Sequence, residues 1–299
     1  MTIVIPRQST PASTSDPRLF LLLAATKTGK TESCLKLPNS LLIDLEDGSE
    51  FYDGNKLNLK RMSIQDGKGL GSLLLETAAT IREANQQNGK PVFDFITIDT
   101  LTVVEDLAKL KATIDYKNTV QGKNFSGKDV TRELAKGAGF AFMTAAFNDL
   151  INPFKGLPAK CLILVAHKKL SNPEKESGIE ISINDIELTG KNKLVATSNA
   201  DSIAHLYRSK RNPYQNIMSF KKDEGDTIWG SRSRHLQNRS FVFSEFDPKT
   251  NTLKTNWDLI FTSLRGENSP VMQEVNEDED EKQINSVNGS TNNKQNFPV

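Results

Sequence analysis

The residues whose types and spacing could do chemistry begin at Ala24-Ala25-Thr26-Lys27-Thr28-Gly29-Lys30-Thr31, followed by Glu32. The run comes straight after the apolar segment Leu19-Phe20-Leu21-Leu22-Leu23 and opens a predicted helix over Glu32–Leu37. Strand, then loop, then helix is the setting of a phosphate-binding loop. Gly29 lets backbone approach a polyphosphate, and successive N–H groups at a helix start form an anion cradle. Lys30 can reach the β- and γ-phosphates of ATP, and the Thr31 hydroxyl can ligate Mg²⁺. Lys27 adds a second cation. Ala24 stands where the G-x-x-x-x-G-K-[ST] pattern has its first glycine, a steric cost if that turn needs φ > 0.

Three further strand ends carry polar groups. The run Phe93 to Ile98 closes in Asp99-Thr100, an arrangement that holds Mg²⁺ through a carboxylate or its water. Leu41-Leu42-Ile43-Asp44-Leu45 ends in Glu46-Asp47-Gly48, where Glu46 can orient and deprotonate an attacking water. The run Lys160 to Ala166 stops at His167, placed to feel a γ-phosphate. In open parallel sheets, ligands bind beyond the carboxyl ends of the strands.

These groups need elements to position them. Continuous apolar runs at Leu19–Ala24, Leu41–Leu45, Val92–Asp99 and Lys160–Ala166 alternate with helical spacing over Ser72–Gln87, Val103–Ile114 and Phe140–Ile151. The pattern predicts an α/β fold, a mainly parallel sheet with helices on both faces. Beyond residue 200, short runs (Ser202–Arg208, Asn216–Lys221, Thr227–Gly230, Ser240–Phe246, Thr252–Thr255) alternate with turns such as Asp223-Glu224-Gly225, predicting an antiparallel extension on the sheet edge. Residues 1–17 are expected to be a flexible arm, 18–265 the folded domain and 266–299 a disordered acidic tail.

Composition narrows the class. Charged residues make up 25% and hydrophobic ones 36%, no apolar stretch approaches the ~18 residues that span a bilayer, and the start lacks a secretion signal. Two cysteines make no disulfide framework, so a cytoplasmic protein, not a membrane one, is expected. From Glu267 onward there are seven acidic residues against Lys282 and Lys294, so the rest of the chain is more basic than the net charge of +1. A basic body suits nucleic acid; the tail serves solubility or a protein partner. After the Asp99 helix comes a basic, glycine-containing stretch with Lys123, Phe125, Lys128 and Arg132, able to track a strand's phosphates and stack a base. A second long polar stretch, Lys168–Asn199, follows His167.

Together these parts resemble the RecA-like P-loop ATPase core. Leu42-Ile43-Asp44-Leu45-Glu46-Asp47-Gly48 is similar to that family's strand with a catalytic glutamate. Phe95-Ile96-Thr97-Ile98-Asp99-Thr100 is similar to its Walker B strand, and Leu164-Val165-Ala166-His167 to its phosphate-sensor strand. With Lys-Thr-Gly-Lys-Thr and Gly230-Ser231-Arg232-Ser233-Arg234, the chain looks most like the short phage ATPases of the Sak-type single-strand-annealing and recombination class. The resemblance, which runs from about Leu19 to Leu264, implies ATP hydrolysis with Mg²⁺ and action on single-stranded DNA. It further implies a homo-oligomer, ring or filament, with nucleotide at subunit interfaces. Arg234, and after it Arg232, match the place of the trans-acting cations, and both long polar stretches would face the assembly axis. A ring helicase of the same fold, or a non-hydrolysing nucleotide-gated DNA-binding module, are the alternatives.

Overall fold

The computed structural model describes residue 12 and residues 14–170, 184–221, 228–267 and 269–275. In chain order its strands are β1 (Leu19–Ala24), β2 (Ser40–Asp44), β3 (Lys56–Asn58), β4 (Phe95–Asp99), β5 (Cys161–Leu170), β6 (Asn184–Ile186), β7 (Ser202–Arg208), β8 (Gln215–Ser219), β9 (Gly230–Ser231), β10 (Ser240–Asp247) and β11 (Thr252–Thr255). The helices are α1 (Lys30–Leu35), α2 (Leu59–Asp66), α3 (Leu70–Asn88), α4 (Leu101–Lys117), α5 (Val130–Glu133), α6 (Ala138–Lys155) and α7 (Gly190–Asn199).

One sheet organises them in the order β11-β10-β8-β7-β1-β5-β4-β2-β3. From β7 to β3 neighbouring strands are parallel, while β8, β10 and β11 continue antiparallel, as the composition of the late strands predicts. The phosphate-loop strand β1 and the acid-bearing β4 are separated by β5. Their register is close: Ala24 lies opposite His167, and Asp99 lies opposite both Val165 and Asp44. Side-chain alternation divides β1 between two cores. Leu21 and Leu23 join an aliphatic cluster under α3, α4 and α6, and Phe20, Leu22 and Ala24 join an aromatic cluster under α1. In the second cluster Trp257 packs edge-on against Phe20 and Phe243, and its indole N–H donates to the Ser33 carbonyl at 2.8 Å. The C-terminal segment thereby braces the helix that follows the phosphate loop.

Several expectations change. Strand β5 does not stop at His167 but runs on to Leu170, pairing antiparallel with β6, and α7 occupies much of the stretch expected to be loop. The reason is tertiary. The buried Glu105 carboxylate on α4 accepts from the Thr189 backbone N–H, the Thr189 hydroxyl and the Asn192 amide, capping α7 from 84 positions away. The N-terminal boundary also moves, because Asp16 accepts from the backbone and hydroxyl of Thr262 and from the Ser263 N–H. At the other end Glu274 bridges to Phe241 and pairs with Arg239 at 3.1 Å, so the chain stays attached to the sheet through residue 275. The remaining acidic tail, residues 1–11, the stretch 171–183, the turn Asp223-Glu224-Gly225 and the predicted strand start at Thr227 lie outside the described residues. Among the described residues, no helix is long and apolar enough to cross a membrane.

Candidate functional site

The left-handed backbone that a phosphate loop needs sits at Lys27 (φ 61°) and Gly29 (φ 85°), not at Ala24. Ala24 is a fully buried residue ending a regular strand, so the steric objection to an alanine there disappears. Gly29 caps α1; a Cβ on it would meet the Asn216 amide at 3.8 Å and would still be strained by φ. Thr28 closes the loop by donating to the Ala25 carbonyl at 2.8 Å, while Ala25, Thr26 and Lys27 stay exposed.

Lys30 is buried, and its ammonium is folded against the loop, donating to the Ala25 carbonyl at 2.8 Å and the Ala24 carbonyl at 3.4 Å. Burial lowers its pKa, opposed by the charges of Asp99 and Glu46. The same Nζ lies 3.3 Å from His167 Nδ1. An ammonium has only donors, so Nδ1 accepts, and the imidazole proton sits on Nε2. That Nε2–H donates to Glu46 Oε1 at 3.0 Å, and the Thr100 hydroxyl donates to the same oxygen at 2.8 Å. The hydrogen bond from His167 is the main cause of a lowered Glu46 pKa, so the carboxylate is held ionised at the site's edge.

Asp99 is different. Its Oδ2 accepts from the Thr31 hydroxyl at 2.6 Å, while its buried Oδ1 has no hydrogen-bond partner. Burial pushes its pKa up to about 6 despite the Thr31 bond. An orphaned carboxylate oxygen beside a hydroxyl whose proton is already donated leaves lone pairs for a hard cation, the oxygen-only set that Mg²⁺ takes together with phosphates. Thr31 and Asp99 therefore fit Mg²⁺.

Asp44, the carboxylate next to the predicted base, does another job. It is buried, and its oxygens accept from the backbone N–H groups of Glu46, Asp47 and Ser49 at 2.7–2.9 Å. It shapes the turn that presents Glu46, and three backbone N–H groups, two on Oδ1 and one on Oδ2, hold it to that structural job. Asn58 and Arg61, at the start of α2, brace Asp47 and Glu50 from outside.

Sequence reasoning missed a cleft of ≈490 Å³ next to the loop. Lys27, Thr28, Gly29 and Glu32 form one wall; Tyr52 and the antiparallel extension, with Arg208, Tyr214, Asn216 and Phe246, form the others. Tyr214 and Phe246 have ring centroids 6.4 Å apart. An aromatic on a late hairpin carries no local sign of proximity to residue 29; only the sheet order brings the two together.

The remaining predicted residues are not gathered here. Arg232 follows β9, whose Ser231 pairs with Ser202 at the first residue of β7, at the amino end of the sheet. It is held there by the Ser198 carbonyl at 3.2 Å and Asp201 at 3.4 Å. Arg234, two residues on, is exposed, with no side-chain partner among the described residues. Lys123, Phe125, Lys128 and Arg132 lie on the connection closing the antiparallel α4–α6 pair, in which Tyr116 meets Phe142 and Lys111 meets Asp149. Seventeen residues of α4, about 25 Å, separate that tip from Asp99. Lys123 and Lys128 are exposed, Arg132 pairs with Asp129, and the Phe125 ring is taken up by Tyr116 and Lys117. Lys168 turns to the face opposite His167 and lies 3.1 Å from His205 Nε2, in a ring stacked on Trp229 whose pKa burial lowers to about 3.

The family described as AAA domain matches residues 16–235, a span that holds every strand-end group above. Among solved structures, the crystal structure of the RadB recombinase overlaps with a TM-score of 0.36 and 8% identity, covering 78% of this chain and 89% of that one. No curated protein matches the chain in sequence.

Proposed function

The chain belongs to the AAA domain family, and from that premise we propose that it is an ATP-hydrolysing enzyme that works on single-stranded DNA in recombination, annealing or repair. The observation that carries the hydrolytic reading is the line Lys30–His167–Glu46, in which the phosphate cation and the candidate base share one imidazole at 3.3 and 3.0 Å. In use, the backbone N–H groups from Lys27 to Thr31 cradle the phosphates and Lys30 leaves the loop carbonyls for the terminal ones. Glu46, held by His167 and Thr100 through one oxygen, keeps Oε2 to orient and deprotonate water. Thr31 and Asp99 would hold Mg²⁺, which neutralises charge on the transferring phosphoryl group. The ≈490 Å³ cleft takes the nucleoside, with Tyr214 as a platform for the base.

The DNA and assembly parts of the reading rest on the exposed cations Lys123 and Lys128, and on Arg232 and Arg234 lying beyond the opposite end of the sheet. Arg232, tied to Asp201, acts on a nucleotide only if that nucleotide belongs to a neighbouring copy. The assembly is a ring or filament that carries out annealing or strand exchange. The test is the ATPase rate of the purified chain against added single-stranded DNA, with electron microscopy of the same mixture. Stimulation together with ordered assemblies supports the proposal. Turnover indifferent to DNA removes its DNA part, and nucleotide binding without turnover removes hydrolysis.

A further inference from the structure

The amino ends of the central strands carry a second cluster of polar groups, which the nucleotide site of the same chain does not use. Arg18 precedes β1, Asn152 and Lys155 come from the last turn of α6, Asn199 ends α7, Asp201 lies between α7 and β7, and Arg232 follows β9. They line a cavity of ≈630 Å³. Three cations face one carboxylate, and that carboxylate is committed. Asp201 Oδ2 accepts the backbone N–H groups of Arg18 and Leu19 at 2.9 and 3.1 Å, and Oδ1 faces Arg232 at 3.4 Å. Among the described residues, neither Lys155 nor the Arg18 guanidinium has an anionic partner. Lys155 is half-buried, and burial alone lowers its pKa. The carbonyl end of α6 offsets part of that charge; Arg18 is exposed at the cavity mouth, and the Asn199 amide, which donates one N–H to the Val195 carbonyl at 3.0 Å, keeps its other N–H.

A half-buried cation with no counter-ion is costly unless something else supplies the charge. We propose that this cavity is a second anion site, taking a phosphate group at the end of the sheet opposite the phosphate loop. Arg18 and Lys155 supply the charge, Asn152 and Asn199 supply polar contacts, and Asp201 holds Arg232 in position. The phosphate belongs either to a nucleic-acid strand or to the nucleotide of a neighbouring copy, which present the same chemistry. The second source rests on the assembly reading above; the site itself does not.

The test uses pyrophosphate as probe on the full chain carrying Lys30→Ala, which weakens the competing loop. Pyrophosphate is expected to raise the melting temperature, and adding Arg18→Gln with Lys155→Gln is expected to remove most of that rise; an undiminished rise would overturn the proposal. Two arms in the otherwise native chain separate the sources. A fall of about 1.4 in the log–log salt slope for a single-stranded oligonucleotide, about 0.7 per lost contact, assigns the strand. An unchanged slope with ATP turnover reduced ~10-fold, recovered by mixing with Lys30→Ala chains, assigns the neighbour's nucleotide. If neither moves while the pyrophosphate response is lost, the ligand is a free phosphate compound. Lys155→Met guards against a purely structural role: melting unchanged or raised, with weaker pyrophosphate binding, fits the site, whereas lower melting with an unchanged pyrophosphate response overturns it.

Discussion

The two ends of one sheet treat charge in opposite ways. At the carboxyl ends, Lys30, His167, Glu46 and Thr100 form one hydrogen-bonded line and Thr31 and Asp99 a second pair, at 2.6–3.3 Å, with Asp99 Oδ1 and Glu46 Oε2 left open among the described residues. At the amino ends, the one carboxylate lining the cavity, Asp201, is consumed by backbone and Arg232, and two cations face that cavity with no anionic partner among the described residues. The difference is the one expected between a site for chemistry and the anion site proposed above. Reacting groups must be held in fixed positions before the substrate arrives, whereas an anion-binding surface only has to present charge without a competing counter-ion.

The sharpest break of this contrast is at Lys30. Lys30→Ala is expected to lower ATP turnover by at least ~10²–10³-fold, the scale for removing a preorganised stabilising donor, with the far-ultraviolet circular dichroism unchanged. Wild-type turnover in that variant would sink the nucleotide site. Glu46→Gln and Asp44→Asn should then part company. Glu46→Gln is expected to bind ATP normally and lose ~10²–10⁴-fold in kcat, as loss of a general base does. Asp44→Asn puts an NH₂ against backbone donors, and each N–H left unsatisfied costs about 1–3 kcal/mol. Its effect should therefore appear in urea unfolding, and only through that in activity.

The contrast also explains what was legible in the sequence. The phosphate loop, Asp99 and His167 could be read because each comes directly after an apolar run, so local pattern and tertiary position coincide. Glu46 could be read from the strand end it follows, but the structural job of Asp44, two positions before it, shows only once the backbone donors of Glu46, Asp47 and Ser49 are placed on it. The helix α7 was hidden because its cap is Glu105, on another helix. The cleft with Tyr214 and Phe246 and the cavity with Arg18 and Lys155 were hidden for a related reason: both are made where distant segments meet across the sheet order. Short elements such as β3 and β6 carry too few residues for a period to show.

Asp99 gives a smaller, pH-dependent test, made in the metal-free protein. Its folded pKa of about 6 stands above the ordinary carboxylate value of 3.8, so between those limits the folded state binds a proton that the unfolded chain lacks. Stability contributed by the protonated form is full below about pH 4 and is lost as pH rises through 6. Asp99→Asn, which cannot ionise, is therefore expected to be more stable than the wild type by ~1–3 kcal/mol at pH 8, with the gap closing toward pH 4, and to bind Mg²⁺-ATP more weakly. A pH-independent gap would mean that the carboxylate is not desolvated as described. Smaller again is Tyr214→Ala: losing an aromatic contact worth about 0.5–1.5 kcal/mol should raise KM for ATP ~2–10-fold and leave kcat alone.

The smallest effects are expected at the tip of the α4–α6 pair, where they test which cationic region the proposed DNA strand would follow. Lys123→Ala and Lys128→Ala should each lower the salt slope for a single-stranded oligonucleotide by about 0.7. If they do and the Arg18 and Lys155 variants do not, the strand crosses the helical tip and the sheet's amino end serves the neighbouring nucleotide. Phe125 separates packing from stacking. Its ring meets Tyr116 edge-on at 5.3 Å with the Lys117 ammonium 5.9 Å away, and Tyr116 rests in turn on Phe142 at 5.2 Å. Phe125→Ala should lower the melting temperature while changing DNA affinity little, because the ring is already engaged within the fold. Phe125→Leu keeps most of the packing volume but removes the aromatic plane. If Phe125→Leu melts like the wild type yet binds DNA ~5-fold or more weakly, within the 1–3 kcal/mol of a lost base stack, the ring leaves Tyr116 to meet a base. The helical tip would then be a preorganised site like the carboxyl end, and the contrast between the two kinds of surface would no longer hold there.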